Sequence, residues 1–65
     1  MNITMNTKLK NRRLNVGLTQ AEVARAVNIA EQAYQRYEYG KREPAVTTAI
    51  KIAEVLHSTV EELFK

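Results

Sequence analysis

Hydrophobic residues recur every three or four positions along most of the chain, a spacing that places side chains on one face of an α-helix. In the first such segment Met5, Leu9 and Val16 share a face, and Gly17 is suited to end the helix. No segment shows the sustained alternation of apolar and polar residues that is typical of a β-strand. The pattern therefore predicts an all-α fold.

Two segments begin with the Thr-x-x-Glu pattern of a capping box, in which a threonine hydroxyl and a glutamate carboxylate satisfy exposed backbone N–H groups. Thr19 and Glu22 open a short second helix, and Thr59 and Glu62 open another short helix near residue 65. The inward face of the second helix is predicted to contain Val23, Ala24 and Val27.

A third helix is predicted from about Ala30 to Tyr39. Asn28 lies where the chain must turn sharply before it, and asparagine tolerates the left-handed conformation that such a turn requires. Gly40 suits the position after a helix, and Pro44 closes the loop that follows. Ala30 offers no side-chain oxygen to cap the helix, so we expect this helix to lack one stabilising contact.

The remaining apolar spacing predicts a fourth helix after Pro44. Its core-facing residues are predicted to be Val46, Ala49, Ile50, Ala53 and Leu56. With the short fifth helix, the prediction is a compact five-helix bundle formed by residues 6–65 as a single domain. Residues 1–5 are expected to form a flexible N-terminal arm.

The two short helices between Gln20 and Glu38, joined by a tight turn, match the layout of a helix-turn-helix. The runs Leu18-Thr-Gln-Ala-Glu-Val-Ala24 and Tyr37-Glu-Tyr-Gly-Lys-Arg-Glu-Pro44 resemble the Cro/repressor-type helix-turn-helix family of phage repressors and related bacterial regulators. The resemblance covers residues 8–64. It implies a lambda-repressor-like domain that binds double-stranded operator DNA through the major groove.

The polar side chains of the third helix are candidates for reading bases. A helical wheel places Glu31, Gln32, Gln35 and Arg36 within one arc, and glutamine can pair with adenine, arginine with guanine, and glutamate with the cytosine amino group. The resemblance assigns base contacts to positions matching three of them, all except Gln35. The alternative is an ordinary solvated helix face.

Four further residues are candidates for contacts with DNA phosphates. Thr19 and Gln20 open the second helix, where exposed N–H groups can hold a phosphate, and Gln20 also matches a family position. Lys41 and Arg42 follow the third helix and would meet the flanking backbone. The alternatives are that the first pair only caps a helix and that the second pair only forms a solvated basic loop.

Arg13 lies on the apolar stripe of the first helix, where an unpaired charge would be costly. The family resemblance suggests that its partner is Glu38, in a structural ion pair that fixes the third helix against the first. The alternative is that Arg13 extends to solvent. The neighbouring Arg12 is expected to be an ordinary surface residue.

Relatives of this length usually lack a separate oligomerisation domain, so a homodimer, formed at least on DNA, would have to use the domain itself. Candidate dimer contacts are Val55, Val60 and Phe64, and the alternative is that they complete the core. The core is favoured for Phe64, whereas a partner contact is favoured for Val55, which lies off the main stripe of the fourth helix.

The composition removes several classes of function. The chain has no cysteine and a single histidine, His57, so neither a metal cluster nor a catalytic triad is expected, and we predict no enzyme activity, no catalytic residue and no cofactor. No small-molecule ligand is evident. No apolar run approaches the ~20 residues of a membrane span, which favours a soluble, cytoplasmic protein without a membrane partner. The net charge of +3 is compatible with an anionic partner.

Four functions are therefore compared: a dimeric repressor on a palindromic operator, an antitoxin or restriction-modification controller with the same domain, a protein-interaction module that no longer binds DNA, and an enzyme. The resemblance to phage Cro and repressor proteins implies the first, with the second as its alternative. The polar arc argues against the third, and the lack of catalytic groups argues against the fourth.

Overall fold

The computed structural model of the protein describes residues 5–65, which form five helices and no strand. The helices are α1 (Thr7–Val16), α2 (Gln20–Ala26), α3 (Glu31–Glu38), α4 (Val46–Val55) and α5 (Val60–Phe64). The predicted all-α fold is confirmed. Of the predicted arm, only Met5 lies inside the described residues. No helix in this range is long and apolar enough to cross a membrane.

Each of the first four helices is followed, within two residues of its end, by a residue in the left-handed conformation. These residues are Gly17 (φ 88°), Asn28 (φ 62°), Gly40 (φ 73°) and His57 (φ 54°). In each case the next residue donates its backbone N–H to a carbonyl in the last turn of the helix, so carbonyl groups that would lack partners are satisfied. The sharp turn predicted at Asn28 is therefore present between α2 and α3.

The helix starts differ in how well they are capped. Thr19 and Glu22 form the complete capping box predicted for α2. At α5 only half of the predicted box forms, because the Thr59 hydroxyl accepts from the Glu62 backbone N–H while the Glu62 carboxylate accepts from the Ser58 hydroxyl at 2.8 Å. The preceding serine competes for that carboxylate, so the prediction of a second full box was wrong.

One apolar core joins all five helices. Its most buried members are Leu9, Val23, Ala24, Val27, Tyr34, Ile52, Ala53, Leu56 and Leu63. Most of these side chains are withdrawn from water, and this burial is the main force holding so short a chain together.

The predicted inward face of α4 is partly wrong. Val46 and Ile50 were expected to face the core but are 74% and 45% exposed, while Ile52 is fully buried. Measured on a wheel of about 100° per residue, the buried face is rotated by roughly 50° from the predicted one. As a result α4 carries two exposed apolar side chains one turn apart.

The prediction that Met5 lies on the inward stripe of α1 was also wrong, since it is 42% exposed and precedes the helix. Asn6 is the N-cap instead, and its side chain accepts from the Leu9 backbone N–H. The Asn6 amide also donates to the Leu63 carbonyl at 2.7 Å, and its backbone N–H donates to the Glu38 carbonyl at 2.9 Å. This residue therefore ties α1 to the ends of α3 and α5.

Arg12 is not the ordinary surface residue that the sequence suggested. Its Nε donates to the Leu56 carbonyl at 2.7 Å and its guanidinium Nη2 donates to the His57 carbonyl. These carbonyls belong to the C-terminal end of α4, where partial negative charge favours a cation. Arg12 therefore joins α1 to α4.

Candidate nucleic-acid interface

The outer face of α3 is polar and accessible. Glu31, Gln32 and Arg36 are exposed, and Gln35 is half-buried. The opposite face is apolar: Tyr34 is fully buried and Tyr37 packs beside it, with the two rings edge to face and their centroids 6.5 Å apart. Because α3 is fixed by its aromatic side, its polar side is presented outward in a defined orientation.

Gln35 differs from the other three in its contacts. Its Nε2 donates to the Glu31 carboxylate at 3.3 Å, one turn earlier on the same helix. The contact is long and lies at the surface, so it orients the two side chains toward each other without burying them.

The start of α2 lies beside the start of α3. Thr19, Gln20 and Glu31 all line one open surface groove, together with Gly17, Leu18 and Ala21. The Thr19 hydroxyl accepts from the Glu22 backbone N–H at 3.0 Å. The structure thus places one pair of predicted phosphate contacts next to the polar face of α3.

Lys41 and Arg42 lie beyond the other end of α3 and are both exposed. The Lys41 backbone N–H donates to the Arg36 carbonyl at 3.0 Å, so the basic loop starts from a fixed point on the helix. Arg42 lines a second crevice, beside Thr7 and Phe64. The two predicted pairs of phosphate contacts therefore flank α3 and do not meet.

The structure brings together the predicted pair of Arg13 and Glu38. Arg13 Nε donates to Glu38 Oε2 at 2.6 Å and Nη2 donates to Oε1 at 3.1 Å, while Nη1 donates to the Leu18 carbonyl at 2.9 Å. Arg13 is 7% exposed and Glu38 is fully buried. This is the one salt bridge within residues 5–65. Within that range, the charged side chains on the outer face of α3 and in the loop after it therefore form no ion pair.

Gln20 contacts this ion pair, which the sequence did not predict. Its Nε2 donates to Glu38 Oε1 at 3.0 Å. The residues are 18 positions apart, and only their family-like placement at the starts and ends of the two helices could have suggested the contact. The side chain of Gln20 is thus held by a hydrogen bond to the buried ion pair.

The electrostatics of this cluster favour an ionised Glu38. Burial acts to raise the pKa of Glu38, but Arg13, the nearby Tyr34 hydroxyl and Gln20 together hold it below the ordinary value of 4.5. The Glu38 hydrogen bond raises the pKa of Arg13. Burial, and then the Glu38 carboxylate, raise the pKa of Tyr34.

The predicted dimer contacts Val55, Val60 and Phe64 are half-buried, and all three pack against the core. Their accessible area is therefore limited, whereas Val46 and Ile50 on α4 are exposed.

Comparison with known proteins agrees with this architecture. The helix-turn-helix family model matches residues 9–63. An HTH-type transcriptional regulator of Archaeoglobus fulgidus is 35% identical over 60 residues, covering 92% of this chain and 86% of that protein. The cryptic phage CTXphi transcriptional repressor RstR of Vibrio cholerae is 34% identical over 56 residues, covering 86% of this chain but only 50% of RstR.

Among solved structures, the restriction-modification controller protein C.AhdI from Aeromonas hydrophila superposes with a TM-score of 0.82 at 25% identity, covering 91% of this chain and 89% of that one. The arrangement of α2 and α3, the sequence match over most of the chain and the structural match agree. The chain therefore belongs to the helix-turn-helix family of DNA-binding transcriptional regulators.

Proposed function

We propose that the protein is a transcriptional repressor that binds a palindromic operator as a homodimer, with α3 in the major groove of each half-site. The observation that carries this proposal is the division of α3 into two sides. One side packs the buried Tyr34 and the half-buried Tyr37 against the core, and the other exposes Glu31, Gln32 and Arg36. A helix held in this way can present side chains to base edges with little loss of freedom on binding.

Each exposed side chain has a chemical role in this proposal. Gln32 pairs with adenine through two hydrogen bonds, Arg36 pairs with guanine, and Glu31 accepts from the cytosine amino group. Gln35 contributes through its contact with Glu31 or through a base of its own.

Contacts with phosphates supply most of the affinity. Lys41 and Arg42 neutralise backbone phosphates beyond one end of α3, and Thr19 and Gln20 donate hydrogen bonds beside its start. The phosphate contacts fix the position of α3 on the duplex, and the base contacts select the sequence.

For the dimer, we propose that α4 contributes Val46 and Ile50, in addition to the Val55, Val60 and Phe64 contacts predicted from the sequence. Val46 and Ile50 lie one turn apart and are 74% and 45% exposed, so they offer apolar area that the monomer does not use. A two-fold dimer presents the same surface from both subunits.

The repressor role is supported by the similarity to RstR, and a controller of restriction-modification genes is the second candidate because of the similarity to C.AhdI. The test is selection of bound sequences from random duplex DNA, followed by a reporter assay with the selected site overlapping a promoter. We expect inverted half-sites about one helical turn, ~34 Å, apart and reduced transcription. Enrichment of no sequence would refute the proposal, and activation of the reporter would favour the controller role.

A further inference from the structure

The side chain of Gln20 is held by a buried carboxylate. Gln20 is half-buried, whereas Glu38 is fully buried, and Gln20 Nε2 lies 3.0 Å from Glu38 Oε1. The same oxygen accepts from Arg13 Nη2 at 3.1 Å. A side chain beside a surface groove is thus connected to the one buried ion pair in residues 5–65.

This contact determines which way round the amide sits. An ionised carboxylate can only accept hydrogen bonds, so the amide nitrogen of Gln20 and not its oxygen must face Glu38. The amide is planar, and once one N–H is engaged the directions of the second N–H and of the carbonyl oxygen are set as well. A free glutamine would instead sample a broad range of orientations about its last torsion.

Arg13 also holds the backbone that leads into Gln20. Its Nη1 donates to the Leu18 carbonyl at 2.9 Å, two residues before Gln20. The ion pair therefore holds the Gln20 side chain through Glu38 and the approaching backbone through Arg13. Both contacts are made by groups that are at least nine-tenths buried.

We propose that Glu38, together with Arg13, is a positioning residue for DNA binding: the pair orients the Gln20 amide so that its second N–H donates to a backbone phosphate. This inference rests on the proposed phosphate contact of Gln20. It assigns to the ion pair an effect on affinity that is independent of base sequence, in addition to its effect on stability.

The test is a double-mutant cycle between Gln20→Ala and the paired substitution Arg13→Met/Glu38→Met, which removes both charges and keeps apolar bulk in the core. In the wild-type background Gln20→Ala should weaken binding to the selected site and to random DNA alike, by about five-fold, with an unchanged salt slope because glutamine releases no counterion. In the Met/Met background it should weaken binding by less than about two-fold, because the amide is no longer oriented.

Lys41→Ala is the matched control, since Lys41 is exposed and is not among the hydrogen-bond partners of Arg13 and Glu38. It should weaken binding by the same factor in both backgrounds. An equal loss for Gln20→Ala in both backgrounds would overturn the positioning role while leaving the phosphate contact intact. If Gln20→Ala changed nothing in wild type, the contact and the positioning role would both be wrong, and base reading by α3 would still stand.

A measurement on the unaltered protein covers the case in which the Met/Met variant does not fold. NMR relaxation of the Gln20 side-chain amide should show it ordered in the free protein as well as in the DNA complex. An amide that is mobile when free and ordered only on DNA would contradict the proposal.

Discussion

At the scale of single residues, the Arg13–Glu38 ion pair is the contact within residues 5–65 whose disruption we expect to lower the free energy of unfolding most. Glu38 is fully buried and depends on Arg13 for two of its hydrogen bonds. Arg13→Ala leaves that carboxylate buried without its cation, so the free energy of unfolding should fall by about 3 kcal/mol. Urea unfolding monitored by circular dichroism measures this fall.

Arg25→Ala is the appropriate control, because Arg25 is exposed and its removal should change stability by no more than about 0.5 kcal/mol. Arg12 is unsuitable, since it donates to the end of α4. Equal losses for Arg13→Ala and Arg25→Ala would show that the ion pair does not support the fold.

Because Glu38 is buried and ionised, we expect the stability of the fold to depend on pH. The folded pKa of Glu38 lies below its ordinary value of 4.5, so in acid the unfolded chain binds more protons than the folded one. The stabilisation is complete above pH 4.5 and is lost as pH falls through the folded pKa of Glu38. Thermal melts between neutral pH and acid should show a steeper loss for wild type than for Arg13→Met/Glu38→Met.

Glu22, whose pKa is lowered chiefly by the Thr19 backbone N–H, is present in both proteins and cancels in this comparison. Parallel stability profiles for the two proteins would contradict the assignment to Glu38.

At the scale of the helices, α3 and α4 both begin at an alanine that makes no capping hydrogen bond. Ala30 already has the extended backbone of an N-cap (φ −67°, ψ 145°), so a serine hydroxyl can be added without changing the chain path. Ala30→Ser should therefore raise the free energy of unfolding by about 1 kcal/mol.

The control is Ala26→Ser, an exposed position within α2, where the same change should lower stability slightly because serine is a poorer helix former than alanine. Thermal melts of both variants are sufficient. A loss of stability in Ala30→Ser would mean that the start of α3 cannot accept a side-chain cap.

The helices were largely predictable because their ends carry local signals. Thr19 with Glu22, Gly17, Asn28 and Gly40 act within one turn of the chain, and the sequence alone contains that information. The rotation of α4 was not predictable in this way. Its apolar positions form two adjacent stripes, and only packing against α2 and α5 decides that Ile52 is buried while Ile50 is exposed.

In the candidate site, too, local sequence signals predict some features and miss others. The exposed positions of Glu31, Gln32 and Arg36 follow from helical periodicity, whereas the contact of Gln20 with Glu38 joins residues 18 positions apart. Such a contact depends on the angle between two helices, and the local pattern does not specify that angle.

At the scale of the whole molecule, the proposed dimer can be tested by substituting the exposed apolar residues of α4. Val46→Gln/Ile50→Gln should leave the monomer folded, because neither side chain is part of the buried core, but should weaken binding to a palindromic site far more than to an isolated half-site. Gel-shift titrations on the two DNAs, with analytical ultracentrifugation, measure this difference.

Thr47→Gln, at an exposed neighbouring position, is the control and should preserve the preference for the palindrome. If the doubly substituted protein bound palindrome and half-site with wild-type affinities, the dimer surface would have to lie elsewhere.

In the proposed complex, α3 reads the DNA sequence, while the residues that flank its two ends contact phosphates. Gln32 and Arg36 are both exposed and lie one turn apart, so each is placed to specify a base. The decisive measurement is a competition assay of wild type, Gln32→Ala, Arg36→Ala and Lys41→Ala against the selected site, its point variants and scrambled DNA. We predict that each α3 variant loses about 1–3 kcal/mol of binding free energy for the selected site, that the lost base preference is confined to one or two symmetric positions, and that binding to scrambled DNA is almost unchanged.

Lys41→Ala should instead weaken all the DNAs about equally and flatten the salt dependence by about 0.9 in the log–log slope for each phosphate contact that is lost. Unchanged base preference in both Gln32→Ala and Arg36→Ala would contradict the claim that α3 reads the operator.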